Sequence, residues 1–286
     1  MPELFSPDEV ILGYQNHVDE KPYIELALNT YDAATLVGRT VSIVSERNYQ
    51  RLRPALLFIR DVSSSGFGDE IRDQFRPIIL NSSLFDEMKS CLSVPNFGIR
   101  SHTVYTFGKL SFKENISVLV ETFEKRRDID PLLMDSLLFE IRWLEQSDNN
   151  HWKRIEFLAD SPANFSRWCA VQSASREVSF TEDHEKFNPI LVKLANDAFH
   201  PVRLEALYWL EEARKHAYNR NLSREERKQR KSGIKKENAR IDTLKPPLTF
   251  FDLEILFWKF HVDSDYTVLD LQTFLENFEA ENRSTG

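Results

Sequence analysis

Apolar residues recur along this chain at spacings of three and four, as helices with one buried face require. A capping residue or a proline stands where most of these runs begin. Residues 1–32 carry short helical patterns broken by Pro22. Asp32 is placed to cap a helix over about 33–46, although Thr40-Val-Ser-Ile-Val44 also alternates as a strand would. Asn48 to Asp61 reads as the antiparallel partner of that helix, with Leu52, Ala55, Leu56 and Ile59 on one face. Ser63-Ser-Ser-Gly-Phe-Gly68 is a flexible loop by composition. From about 70 to 220, helical runs alternate with start signals. Ser83 with Asp86, Ser111 with Glu114 and Ser179 with Glu182 have the spacing of a capping box. Asp130-Pro131 and Ser161-Pro162 each offer an N-cap followed by a proline in the first turn.

Proline opens a helical pattern at Pro95, Pro131, Pro162 and Pro201, and Pro246-Pro247 follows; the gaps are 36, 31, 39 and 45 residues. Such spacings suit repeats of two helices. The best-formed copy is Asp197-Ala-Phe-His-Pro-Val-Arg-Leu-Glu-Ala-Leu-Tyr-Trp-Leu210, in which Val202, Ala206, Leu207 and Leu210 form one apolar stripe. This stretch resembles the start of the second helix of a HEAT repeat. Phe97-Gly-Ile-Arg-Ser-His-Thr-Val-Tyr-Thr-Phe-Gly108 keeps an Ile-Arg pair, and Ser166-Arg-Trp-Cys-Ala170 keeps Arg and Ala. Leu132 to Ile141 keeps only the apolar stripe. Arg100 and Arg167 sit five residues after their prolines but Arg203 only two, so the register is loose. The resemblance implies an all-α protein, an α-solenoid of antiparallel helix pairs with a C-terminal helical cap. It also implies that Arg203 bonds an acidic or amide side chain in a turn of an adjacent repeat, with Asp197 a candidate.

Residues 214–240 depart from the rest of the chain. They hold 11 Lys or Arg against three Glu, a local charge of +8, which leaves −16 for the remainder of a chain of net charge −8. Ser223 with Glu226 has capping-box spacing, and Arg224, Arg227, Lys228, Arg230 and Lys231 cluster around it; Gly233 interrupts the pattern. The expectation is an exposed basic helix or helix-loop, either solvated surface or a docking site. After Pro246-Pro247, Thr249 caps a run from Phe250 to Phe260 that is apolar around its circumference, which predicts burial on two faces. A last helix is expected over about Thr267 to Phe278. The domains so expected are N-terminal helices over 1–62, repeats over 70–220, and a basic segment with capping helices over 221–286.

Composition narrows the function. Eight glycines in 286 residues disfavour a β-rich fold with many tight turns. Net acidity argues against nucleic acid as the main partner. Cys91 and Cys169 lie in apolar helical runs and read as buried free thiols. The acidic N-terminus has no signal-peptide pattern and no apolar run approaches the ~18 residues of a membrane span, so the expectation is a cytoplasmic protein without membrane contact. No metal or cofactor signature occurs: there is no His-Glu-x-x-His, Gly-x-Ser-x-Gly, Walker loop or Gly-x-Gly-x-x-Gly. Asp263-Ser-Asp-Tyr-Thr267 resembles the nucleophile motif of haloacid-dehalogenase phosphatases. Too few residues follow for that fold, and the stretch fails as an EF-hand at Val268 and Phe274, so it reads as a turn between helices.

These readings lead to a non-catalytic scaffold that binds a protein partner. By the HEAT resemblance its groove would be lined near Arg100, Arg142, Arg167 and Arg203, unless those arginines form an internal ladder with Asp130, Asp160 and Asp197. A nucleic-acid-binding alternative, similar to the HEAT-like alkylpurine DNA glycosylases, would use Trp143, Trp152, Trp168 and Asp135. A further alternative resembles the HEAT-like phycobilin lyases through residues 201–210 alone.

Overall fold

The computed structural model describes residues 6–14, 21–64, 67–110, 112–145, 150–180 and 184–284. Within these the chain is all-helical: seventeen helices and no strand. They are α1 (Pro7–Leu12), α2 (Lys21–Thr30), α3 (Ala33–Ser45), α4 (Tyr49–Val62), α5 (Asp69–Asn81), α6 (Leu84–Cys91), α7 (Phe97–Leu110) and α8 (Lys113–Arg126). Then follow α9 (Pro131–Glu145), α10 (Asn150–Ala159), α11 (Asn164–Phe180), α12 (His184–Leu194), α13 (His200–Arg220), α14 (Arg224–Gln229), α15 (Lys231–Asp242), α16 (Phe250–His261) and α17 (Val268–Ser284). Two compact units divide them. The first comprises Met1–Lys125, Glu140–Gln146 and Phe260–Tyr266; the second comprises Arg126–Phe139, Ser147–Lys259 and Thr267–Gly286.

Capping chemistry decides many of the boundaries. Asp32 accepts from the Thr35 N–H and starts α3, so Thr40–Val44 is helical and not a strand. Asn48 accepts from Gln50 and Arg51 and starts α4. Ser223 and Glu226 make a reciprocal capping box on α14. Two expected starts are corrected. Ser83 makes no capping bond, because its backbone is already α-helical, and Ser82 Oγ takes the Leu84 N–H instead. At Ser161-Pro162 the hydroxyl accepts from Ala163 N, so α11 begins only at Asn164. The Ser111 and Ser179–Glu182 expectations lie outside the described residues or side chains.

In the first unit, α3 packs on α4, α5 and α6, and α4 packs on α7. Leu36, Ile43, Leu52, Leu56, Phe58, Phe75, Met88 and Phe107 form its core. Tyr14, Phe58 and Phe75 meet edge to face, with centroids 5.9 and 6.1 Å apart. The turn after α16, expected only to connect two helices, also closes the start of α7. Phe97 N donates to Ser264 O at 2.9 Å and Gly98 N to Val262 O at 3.0 Å. Asn96 Nδ2 donates to Asp263 O, Arg100 pairs with Asp265 at 2.9 Å, and Phe97 packs edge-on to Tyr266. These bonds satisfy first-turn N–H groups that the helix itself cannot.

In the second unit each of α10 to α13 packs on the next, α10 also on α12 and α11 also on α13. Its core holds Leu137, Ile155, Leu158, Trp168, Ala174, Leu191, Val202, Ala206, Leu253 and Phe257. Thr249 caps α16 as expected: its N–H and hydroxyl donate to the Asp252 carboxylate and its hydroxyl accepts from Asp252 N. Thr249→Ala should therefore lower stability by about 1 kcal/mol, read as a shift in the urea midpoint at unchanged slope. The expectation that α16 is buried on two faces is corrected. Phe250, Leu253 and Phe257 are buried, whereas Phe251 is 46% exposed, Ile255 41% and Phe260 71%. The final helix also runs further than expected, to Ser284, started by Thr267 and Asp270.

Candidate interaction surface

Three of the arginines singled out by the sequence pattern share one geometry. Arg100, Arg167 and Arg203 are each the fourth residue of their helix, in α7, α11 and α13. Each guanidinium folds back onto the carbonyl six residues upstream: Arg100 Nη1 to Val94 O at 2.9 Å, Arg167 Nη1 to Ser161 O at 3.0 Å, and Arg203 Nη1 to Asp197 O at 2.6 Å. The loose register against the prolines disappears when the helix start is the origin. The fourth position of α9 is Met134, so positions 100, 134, 167 and 203 are separated by 34, 33 and 36 residues.

Carboxylates complete two of these clamps. Arg100 is 2% exposed and pairs with Asp265. Arg167 makes a two-pronged pair with Asp197, at 2.6 and 3.0 Å. Burial works against the Asp197 charge, but Arg167 and the Phe199 N–H outweigh it and hold its pKa below the ordinary carboxylate value. The expected bond from Arg203 to an Asp197 side chain is corrected: Arg167 takes the Asp197 carboxylate, and Arg203 donates to the Asp197 and Ala198 backbone carbonyls. These three side chains brace the turns of their helices. Arg142 differs: it is half-buried, with its guanidinium 5.7 Å from the centre of the exposed Trp143 ring.

The basic segment presents its charge to solvent. Residues 214–220 close the long α13, and α14 and α15 follow with the break at Arg230; Gly233, expected to interrupt the pattern, lies inside α15. α14 buries no residue and α15 buries only Ile241. Part of the charge is neutralised within the unit: Arg240 joins Glu211 at 2.7 Å and Glu237 at 2.9 Å, Arg214 pairs with Glu211, and Lys215 with Glu212 at 2.5 Å. Arg224, Arg227, Lys228, Arg230 and Lys231 are all exposed. Among the described residues, the Arg227 guanidinium donates to the Leu222 carbonyl alone and that of Arg230 to the Tyr218 hydroxyl, whose ring it also covers. Lys235 and Lys236 extend the exposed set. Like charges one turn apart, as at Arg224–Lys228 and Lys231–Lys235, cost an isolated helix about 0.2–0.5 kcal/mol per pair. A groove beside them runs between α13 and α15, lined by Tyr218, Asn219, Arg230 and Ile234.

The stripe expected on α13 is corrected at two positions. Val202, Ala206 and Leu210 are buried, but Leu207 is 44% exposed and Glu205 is buried in its place at 0%. Its carboxyl accepts from Trp168 Nε1 and, at 2.9 Å, from Phe250 N at the start of α16. Burial pushes its pKa up to about 8. A second buried cluster joins Asp135 to Arg176 at 2.5 Å, with the Glu254 carboxyl close enough to interact with both. Burial raises both carboxyls, Asp135 raises Glu254 further, and Arg176 opposes the rise at each. Trp168 and Asp135, which a base-recognition reading would need in a groove, instead face the interior of their unit. Sequence periodicity missed these acids because a Glu or Asp on an apolar face reads as surface. The Asp197–Leu210 stretch contained the signal, Glu205 standing between Val202 and Ala206.

Among the described residues no helix is long and apolar enough to cross a membrane. Both cysteines are buried free thiols. No protein-family model matches the chain, and no curated protein matches it.

Proposed function

We propose that this protein is a non-catalytic helical-repeat scaffold that docks an acidic protein partner on α14 and α15. One observation carries the reading: seven exposed cations, on helices that bury almost nothing of their own, go without a carboxylate partner among the described residues, in a chain of net charge −8. An anionic partner relieves the repulsion among them and supplies the contact surface these helices lack. Glu225 and Glu226 lie at the head of the same surface, which favours discrete pairing with acidic side chains over a continuous run of phosphates. The HEAT-like solenoid reading draws support from the three braced arginines, spaced 67 and 36 residues apart or about two repeats and one, and from the serial packing of α10 to α13. Two buried free thiols suit a reducing, cytoplasmic setting.

The test compares wild type with the combined variant Arg227→Glu, Lys228→Glu, Arg230→Glu and Lys231→Glu in pull-downs at low salt, with and without nuclease. The variant should keep its helical content and lie within about 1 kcal/mol of wild type, since these are surface positions. It should lose a discrete protein that wild type retains after nuclease. A bound set that vanishes with nuclease favours the nucleic-acid alternative. Unfolding of the variant would make the segment structural and defeat the proposal.

A further inference from the structure

A second site lies in the second unit, away from the basic helices α14 and α15. A cavity of about 220 Å³ opens where the Pro246-Pro247-Leu248 linker, the first turn of α13, α11 and the second half of α17 meet. Its floor is apolar. Trp168 is 0% exposed, Leu248 5% and Leu275 4%, and Leu204 and Phe278 complete the wall. Trp168 cannot readily swing to fill the space. Its indole N–H is held by Glu205, and its ring meets Phe199 and Phe250 edge to face, with centroids 6.2 and 5.8 Å away. Trp168 thus backs the cavity from beneath, and a ligand entering it meets a pre-formed apolar wall of Leu204, Leu248 and Phe278.

The polar groups stand at the mouth: His200, Glu279, Asn282 and Arg283. Glu279 is already engaged by Arg283 Nη2 at 3.3 Å, which leaves the other guanidinium N–H groups, and His200, as the donors at the opening. His200 is also the first residue of the 21-residue helix α13, whose N-cap residue, Phe199, makes no side-chain capping bond.

We infer that this cavity binds a small monoanion with a planar apolar body, the body against Leu204 and Phe278 and the acidic group at His200 and Arg283. The volume admits about ten to twelve non-hydrogen atoms at protein packing density, which is one fused bicyclic ring or a substituted single ring. Apolar enclosure on the ring and donors at one end are the two features that would separate such a ligand from a neutral or cationic molecule of the same shape.

Three probes with one body and different charge test this: indole-3-acetate, indole-3-ethanol and tryptamine, measured by calorimetry and ligand-observed NMR on the full chain. Indole-3-acetate should bind with Kd below about 1 mM, and the other two at least about fivefold more weakly. His200→Gln and Arg283→Gln are exposed changes that leave the fold intact; each should weaken the acetate about fivefold and leave the alcohol unchanged. Leu204→Trp fills the cavity and should abolish binding of all three. Failure of every probe on wild type at about 5 mM, equal affinity for the three, or an acetate affinity untouched by both exposed variants would each overturn the inference.

Discussion

Gly98→Ala should destabilise the protein by about 3 kcal/mol, even though alanine is the better helix former by about 1 kcal/mol. Gly98 is the second residue of α7, and a Cβ there would stand 2.3 Å from the Val262 carbonyl oxygen and 2.6 Å from the Tyr49 ring. The first obstacle is backbone, held by the Gly98 N–H itself and by the neighbouring bonds from Phe97 and Asn96. Relief requires the 262–266 turn to lift from α7, which breaks those bonds together with the Arg100–Asp265 pair. Gly38→Ala and Gly233→Ala are the controls. Nothing lies within 4 Å of either added Cβ, and both are helical, so each should stabilise by about 0.5–1 kcal/mol. Urea denaturation of the three variants separates a steric cost from a helix-propensity gain. A stabilised Gly98→Ala would mean that the turn is not seated on α7.

Glu205→Ala should cost about 3–5 kcal/mol, through the loss of an acceptor for two buried N–H groups and the space left behind. Glu205→Gln should cost far less, because Oε2 alone accepts from Trp168 and Phe250 while Oε1 has no partner. Burial favours the neutral acid and outweighs the Phe250, Trp168 and Trp209 N–H groups, which favour the carboxylate. The sign of the pH dependence follows. The folded pKa, about 8, lies above the ordinary value of 4.5, so the folded state binds the extra proton. Stability from this group is complete below about pH 4.5, falls as pH rises, and is lost above about 8, a change on the order of 4 kcal/mol. Glu140, pushed up to about 7 by burial, and the Asp135–Glu254 pair act in the same direction. His102 opposes them at the acid end, since burial beside Arg53 and Arg60 lowers it to about 4 and stability falls as pH drops towards that value. Denaturation free energies at pH 5.5, 7 and 8.5 should therefore decline for wild type and decline less for Glu205→Gln, which should be the more stable protein at pH 8.5. Parallel curves for the two would show that Glu205 is ionised throughout.

Much of the candidate surface is legible in the amino-acid order alone. The excess of Lys and Arg over 214–240, the Ser223–Glu226 box and the near absence of large apolar residues together specify exposed basic helices, because a helix without an apolar stripe has nothing to bury. The position of the break is not legible: Gly233 is a poor helix former, yet α15 runs through it, and the chain turns at Arg230. The arginines of the repeats stand out in the sequence, but proline is a poor origin for comparing them. Proline marks where a turn allows a helix to begin, and the helix starts two residues after Pro95 and Pro162 but before Pro201.

The sequence by itself determined that the chain is helical, where Asp32, Asn48, Ser223 and Thr249 start their helices, and that one late segment carries the positive charge. These properties depend on residues within a few positions of one another, whose geometry a helix or a cap dictates. Tertiary structure decided the rest. Only there does the 262–266 turn reach α7, Glu205 find two N–H donors from segments 37 and 45 residues away, and α16 leave Phe251 and Ile255 in solvent. An acid can be buried only where distant donors converge on it, and an apolar face can be left open only if no other element arrives to cover it. Periodicity along the chain carries no record of either event, because both depend on where remote segments stop.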